Sequence, residues 1–158
     1  MEYQFFDFKG NLVKLTFLKE NASRKPGHVL VFPLYLGGVV MTNHKIRGLE
    51  LPGGKMEEGE IPVQAAIRET FEETGAVLEE IKWIGQYQVY QRNGEGLLIK
   101  SIYLGQVEYF MPLPPDSEAL GYEIFHDKPQ VEEPKFSFIV KDDVFQYLWK
   151  KVMEKGNE

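Results

Sequence analysis

The chain of 158 residues contains no cysteine. That excludes a disulfide framework, a thiolate metal site and a thiol nucleophile. No apolar run approaches the ~20 residues that cross a bilayer as a helix, so no membrane role is expected. The opening residues, MEYQFFDFKG, lack the basic-then-apolar order of a signal peptide, and a cytoplasmic location is the expectation. Histidine is scarce: His28, His44 and His126 are scattered without metal-ligand spacing, and each reads as structural. Basic charge is short as well. A net charge of −6 argues against broad binding to duplex DNA, which needs a basic footprint. A small basic pocket for one phosphorylated end remains compatible with it. Repeats and low-complexity segments are missing too.

What is present reads as one globular domain spanning residues 1–158, with hydrophobic content of 43% and charged content of 27%. Tyr3–Phe8 and Leu12–Leu18 flank Lys9-Gly10-Asn11 and predict an N-terminal hairpin over 3–18. His28–Leu36 and Val39–Thr42 predict strands around Gly37-Gly38, although Pro33 cannot donate to a ladder. Asn43–Glu60 reads as mostly loop around Pro52-Gly53-Gly54. Pro62 suits a first helical position and Gly75 a left-handed stop. Ile81–Arg92 and Leu97–Tyr109 form a second hairpin turned at Asn93-Gly94. Pro112–Ser117 reads as loop and Phe136–Val140 as a short strand. A last helix, about 142–155, starts at an Asp142 or Asp143 cap and carries one apolar stripe. Strands in hairpins, with one helix in the middle and one at the end, give an α/β (α+β) class.

Residues Gly54–Ala76 read GKMEEGEIPVQAAIRETFEETGA and hold six glutamates. On a wheel of about 100° per residue, Glu69, Glu72 and Glu73 share a face. Val63, Ile67, Phe71 and Thr74 form the opposite face, expected to pack on the sheet. Like charges at this spacing cost about 0.2–0.5 kcal/mol per pair. Arg68 offsets part of that with Glu72, and a hard divalent cation would offset more. Charge runs are mostly solvated surface, so spacing alone does not make a site.

The surrounding pattern does more. The stretch resembles the Nudix hydrolase signature GX5EX7REUXEEXGU, with U a bulky aliphatic residue. Gly54, Glu60, Arg68, Glu69, Glu72, Glu73 and Gly75 occupy its fixed positions. Thr70 and Ala76 hold the two U positions, smaller than the consensus. The resemblance implies an α/β/α sandwich around a central mixed sheet, with the 54–76 box as loop–helix–loop. It implies a Mg²⁺ or Mn²⁺ cofactor held by Glu69, Glu72, Glu73 and the Gly53 carbonyl. Glu69, or a carboxylate on a later loop, would activate water. Glu60 and Arg68 would tie the loop to the helix.

Outside the box, RGLELPGGK, KSIYLGQVE and KFSFIVKDDV are similar to the YtkD-like branch of Gram-positive bacteria. That branch implies hydrolysis of 8-oxo-dGTP and other purine nucleoside triphosphates to monophosphate and pyrophosphate, or removal of pyrophosphate from 5′-triphosphorylated RNA ends. It also places an auxiliary glutamate after the second hairpin: Glu118, or Glu123. Lys55 and Arg47 are candidates for phosphate contact. Tyr87 is the first candidate for stacking a base, with Tyr90 and Phe110. Hydrolysis of ADP-ribose or dinucleoside polyphosphates is an alternative, weakened because no proline stands near Tyr90 and Gln91. A non-catalytic nucleotide-binding module is another, opposed by a box that has lost no carboxylate.

Overall fold

A computed structural model describes residues 2–22 and 25–154. Nine strands and two α-helices follow in chain order: β1 Glu2–Phe6, β2 Leu12–Thr16, β3 His28–Tyr35, β4 Gly38–His44, β5 Gly48–Glu50, β6 Gly53–Lys55, α1 Pro62–Thr74, β7 Ala76–Gln91, β8 Gly96–Phe110, β9 Ala119–Phe125 and α2 Asp143–Trp149. The strands form one mixed sheet in the order β1-β2-β7-β8-β3-β4-β5, with β6 added beside β3 and β9 beside β4. Only the β3–β8 pairing is parallel among the named ladders, running from His28 opposite Lys100 to Leu34 opposite Gln106.

Alternation along β3 explains the layers. Val29 and Val31 point to one face and pack with Ala65 and Ala66 of α1. Leu30 and Phe32 point to the other and join Phe145, Leu148 and Trp149 of α2. Both faces are covered, which is why β3 reads as a continuous apolar run. The result is an α/β/α sandwich around a mixed sheet.

Several local expectations change. Pro33 stays inside β3, at the point where that strand changes neighbour from β6 to β4. There its registered partner is Gly105 of β8, so no second ladder needs its missing N–H. Part of the 43–60 stretch is sheet: β4 runs on to His44, and β5 and β6 are three-residue strands held by long-range pairing. Phe136 makes a single parallel bridge to Leu49. The chain then turns into a 3-10 segment, Phe138–Lys141, because the Ser137 hydroxyl accepts from the Ile139 N–H. The Asp142 side chain accepts from the Val144 and Phe145 N–H groups and starts α2. That helix loosens after Trp149 into a π-type turn, Lys150–Glu154, and the expected end at residue 155 lies outside the described residues.

Candidate active site

Helix α1 is fixed at both ends. Pro62 opens it, and the Gln64 side chain accepts the Ile61 N–H at 3.0 Å. Gly75 closes it in the left-handed region at φ 78°. A helix leaves its last carbonyls without internal partners, and here each of three finds one. The Phe71 carbonyl accepts from the Gly75 N–H, the Glu72 carbonyl from the Ser117 hydroxyl and the Glu73 carbonyl from the Thr42 hydroxyl. These contacts dock the acidic end of α1 against β4 and the loop before β9.

The orientation of α1 differs from the simple wheel. Ala65, Ala66, Thr70 and Thr74 are its buried residues, while Ile67 is 44% exposed. Glu69 and Glu73 therefore lie within the inward arc, between Ala65 and the Ala66–Thr70–Thr74 row. Glycine makes the room. A β-carbon at Gly54 would lie 2.7 Å from the Glu69 carboxyl. The Gly53 N–H donates to Glu73 Oε1 at 3.0 Å. The small residue at position 70 suits this face: Thr70 is fully buried and its hydroxyl donates to the Ala66 carbonyl.

Arg68 organises the acidic residues. Its Nε donates to Glu60 Oε2 at 2.6 Å and its Nη2 to Glu60 Oε1 at 2.9 Å. Nη1 reaches Glu69 Oε1 at 2.9 Å and Glu72 Oε2 at 3.3 Å, and Nη2 also meets the Lys55 carbonyl. The guanidinium pulls the Glu60 carboxyl down to about 2. Burial pushes the carboxyls of Glu69 and Glu73 the opposite way. Glu69 is raised by desolvation despite Arg68, and Glu73 is raised to about 8 by desolvation, with Glu69 and Glu50 adding to it.

A cavity of about 530 Å³ opens beside these groups. Glu69, Glu72, Glu73 and Gly53 line it from one side, Arg47 and His44 from another, and Ser117 and Glu118 from the loop before β9. Arg47 is held by Glu50, with Nε 2.9 Å from Oε1. The structure thus brings together Gly53, Arg47, Glu69, Glu72, Glu73 and Glu118, with Glu60 and Arg68 bracing them from behind. Lys55 is exposed and absent from this lining; its carbonyl, rather than its ammonium, engages the box.

Tyr87 does not line this cavity. It is only 5% exposed and packs in the core under α2, because its strand position points away from α1. Phe110 stacks on Tyr122 with centroids 4.2 Å apart, and the Tyr90 hydroxyl donates to Gln88. Neither lines the cavity. Sequence reading missed His44, Thr42 and Ser117. By spacing alone His44 reads as structural, yet its Nε2 lies 3.0 Å from Glu118 Oε2. The alternation Thr42–Asn43–His44 at the end of β4 was the one available signal, and it required knowing where that strand ends.

The donor chemistry fits a hard divalent cation. Glu60, Glu69 and Glu72 surround the single Arg68 guanidinium, the donors are all oxygen, and the burial-raised carboxyls of Glu69 and Glu73 favour a neutralising charge. Among the described residues, however, no three acidic or imidazole groups already converge as a cluster. Arg68 draws Glu69 and Glu72 toward itself, while Glu73 leans on Gly53.

Known proteins share the sequence and the fold. YtkD of Bacillus subtilis (strain 168), whose name proposes an 8-oxo-dGTP diphosphatase, is 38% identical over 98% of both chains. The crystal structure of the Bacillus subtilis pyrophosphohydrolase BsRppH matches with a TM-score of 0.89 and 38% identity, again over 98% of each chain. The NUDIX domain of Shewanella oneidensis NrtR, solved with ADP ribose, shares the fold alone: 16% identity, TM-score 0.59, over 90% of this chain and 92% of that one. The NUDIX domain model matches residues 24–147, a span that holds the box, α1 and every residue lining the cavity, and the chain belongs to the NUDIX family of hydrolases.

Proposed function

We propose that this chain is a metal-dependent pyrophosphohydrolase of purine nucleoside triphosphates, 8-oxo-dGTP among them, or of 5′-triphosphorylated RNA ends, acting in the cytoplasm. The observation that carries this reading is a single cavity lined by Glu69, Glu72 and Glu73 on one side and by Arg47 on the other. An acidic wall suits a cation and a guanidinium suits a phosphate chain. The name of YtkD supports 8-oxo-dGTP as a substrate, and that of BsRppH supports pyrophosphohydrolysis as the reaction.

Nudix hydrolases use divalent cations, and Mg²⁺ (or Mn²⁺) would be held here by Glu69, Glu72, Glu73 and the Gly53 carbonyl. When bound, such an ion neutralises phosphate oxygens and lowers the pKa of water. The chain's own residues do the rest. Arg47, steadied by Glu50, orients the phosphates. Glu69, whose carboxyl is raised by burial, takes the proton of the attacking water. Water oxygen bonds to phosphorus, the bridging P–O bond breaks, and pyrophosphate leaves with its electron pair. Glu118 supplies a further carboxylate from the facing loop. Glu60 and Arg68 hold the helix and loop in register.

The test is a substrate panel with Mg²⁺: GTP, dGTP, 8-oxo-dGTP, ADP-ribose, a dinucleoside polyphosphate and a short triphosphorylated RNA, each with wild type, Glu69→Gln and Glu72→Gln. Pyrophosphate release from a triphosphate or the RNA, lost in both variants with the fold intact, is expected. Preference for ADP-ribose or the dinucleotide would overturn the substrate class. Near-normal activity in both variants would overturn the site.

A further inference from the structure

We propose that His44 is a positioning residue, holding the Glu118 carboxylate at the cavity through one ring nitrogen and fixing the Arg47 loop through the other. The inference rests on Glu118 belonging to the catalytic set and goes beyond it, to the side chain that holds that carboxylate in place.

The ring closes β4 where β9 joins it, at a register shift between Asn43 and His44. Nδ1 lies 3.1 Å from the backbone nitrogens of both Ile46 and Arg47. Both of those groups can only donate, so Nδ1 must accept and the ring proton resides on Nε2. That N–H donates to Glu118 Oε2 at 3.0 Å. The imidazole is the fixed partner, at 10% side-chain exposure, and the glutamate the free one, at 74%. Without the contact, a long solvated side chain would spread over several rotamers. The Glu118 backbone is held separately, its carbonyl accepting from the Lys45 N–H at 3.0 Å. Loss of the imidazole donor therefore frees the carboxylate and leaves the loop in place. The same hydrogen bond keeps the Glu118 carboxyl below the usual range, so it stays an ionised acceptor.

Two side chains separate the functions of the two nitrogens. Asparagine at 44 offers an acceptor near Nδ1 and cannot reach Glu118; glutamine offers an amide N–H near Nε2. On whichever substrate the panel selects, His44→Asn should lower kcat by about 10–100-fold with KM within about twofold. Its unfolding midpoint should match wild type, and His44→Gln should recover most of the rate. Adding His44→Asn to Glu118→Ala should cost nothing further. Nitrogen-15 spectra of the wild-type protein should show His44 as the Nε2–H tautomer, with that resonance shifted in Glu118→Ala. An Nδ1–H tautomer, a wild-type rate in His44→Asn, or additive losses would overturn the role of His44. Wild-type activity in Glu118→Ala would instead remove the Glu118 reading, and this inference with it.

Discussion

Arg68 and Glu60 meet as two forks, with Nε to Oε2 at 2.6 Å and Nη2 to Oε1 at 2.9 Å. The loop before α1 is thereby bolted to the helix that carries the acidic wall. Lysine keeps the charge but not the planar fork. Arg68→Lys should lower kcat/KM by about 10–100-fold, as loss of an orienting partner generally does. Steady-state kinetics checks it, and an unchanged kcat/KM would show that the fork is dispensable.

The paired glycines make different demands. A β-carbon at Gly54 meets first the movable Glu69 carboxyl, whereas one at Gly53 collides with the Val29 backbone carbonyl. Gly54→Ala should stay folded and lose cation-dependent activity. Gly53→Ala should lose about 1–3 kcal/mol of stability, the usual cost of overpacking. Denaturant titrations beside activity assays separate the two. Equal stability losses in both would remove the distinction.

Glu73 sets a pH dependence in the metal-free protein. Its carboxyl sits at about 8 when folded, against an ordinary 4.5. Between those values the folded chain keeps a proton that the unfolded chain has released. Stability from this group is thus fully present below the lower value and is lost as pH rises through the higher one, by roughly 3–5 kcal/mol in all. Glu73→Gln cannot ionise and should flatten that slope between about pH 4.5 and 8. Cation affinity should rise with pH over the same window, since the ion competes with the proton. Thermal unfolding in EDTA and in Mg²⁺ tests both; a slope shared by wild type and variant would sink the idea.

Arg47 depends on Glu50, a carboxylate only 5% exposed. Removing a charged hydrogen bond to phosphate costs about 1.5–3 kcal/mol, so Arg47→Gln should raise KM by about 10–100-fold with a smaller change in kcat. Glu50→Gln should move KM the same way by less, because the guanidinium stays but loses its clamp. If either variant changes kcat alone, Arg47 does not act through ground-state binding of phosphate.

Helix α1 was legible in the sequence, to the residue at both ends. Pro62 and Gly75 act within a few bonds of themselves, through a preset φ and a tolerated left-handed φ. The Glu60–Arg68 pair was legible through the box, the glutamates through local spacing, and the α2 cap as either Asp142 or Asp143, of which the structure selects Asp142. Which way α1 turns was not. The wheel put Ile67 inward, but the helix rotates so that Ala66, Thr70 and Thr74 meet the sheet and Glu69 faces Gly54. Gly54 on β6, a strand too short to show a period, leaves the room that this rotation needs.

Everything that depends on distant pairing fell to the tertiary structure. β9 forms because β4 offers it an edge, and that pairing brings Glu118 to His44 across 74 positions. Tyr87 lies away from the cavity because strand register sends it beneath α2. The sequence by itself determined the acidic helix and the family chemistry, since both reside in short-range spacing. The tertiary structure decided which residues face that helix across the cavity, because sheet register carries side chains to one face or the other independently of their separation along the chain.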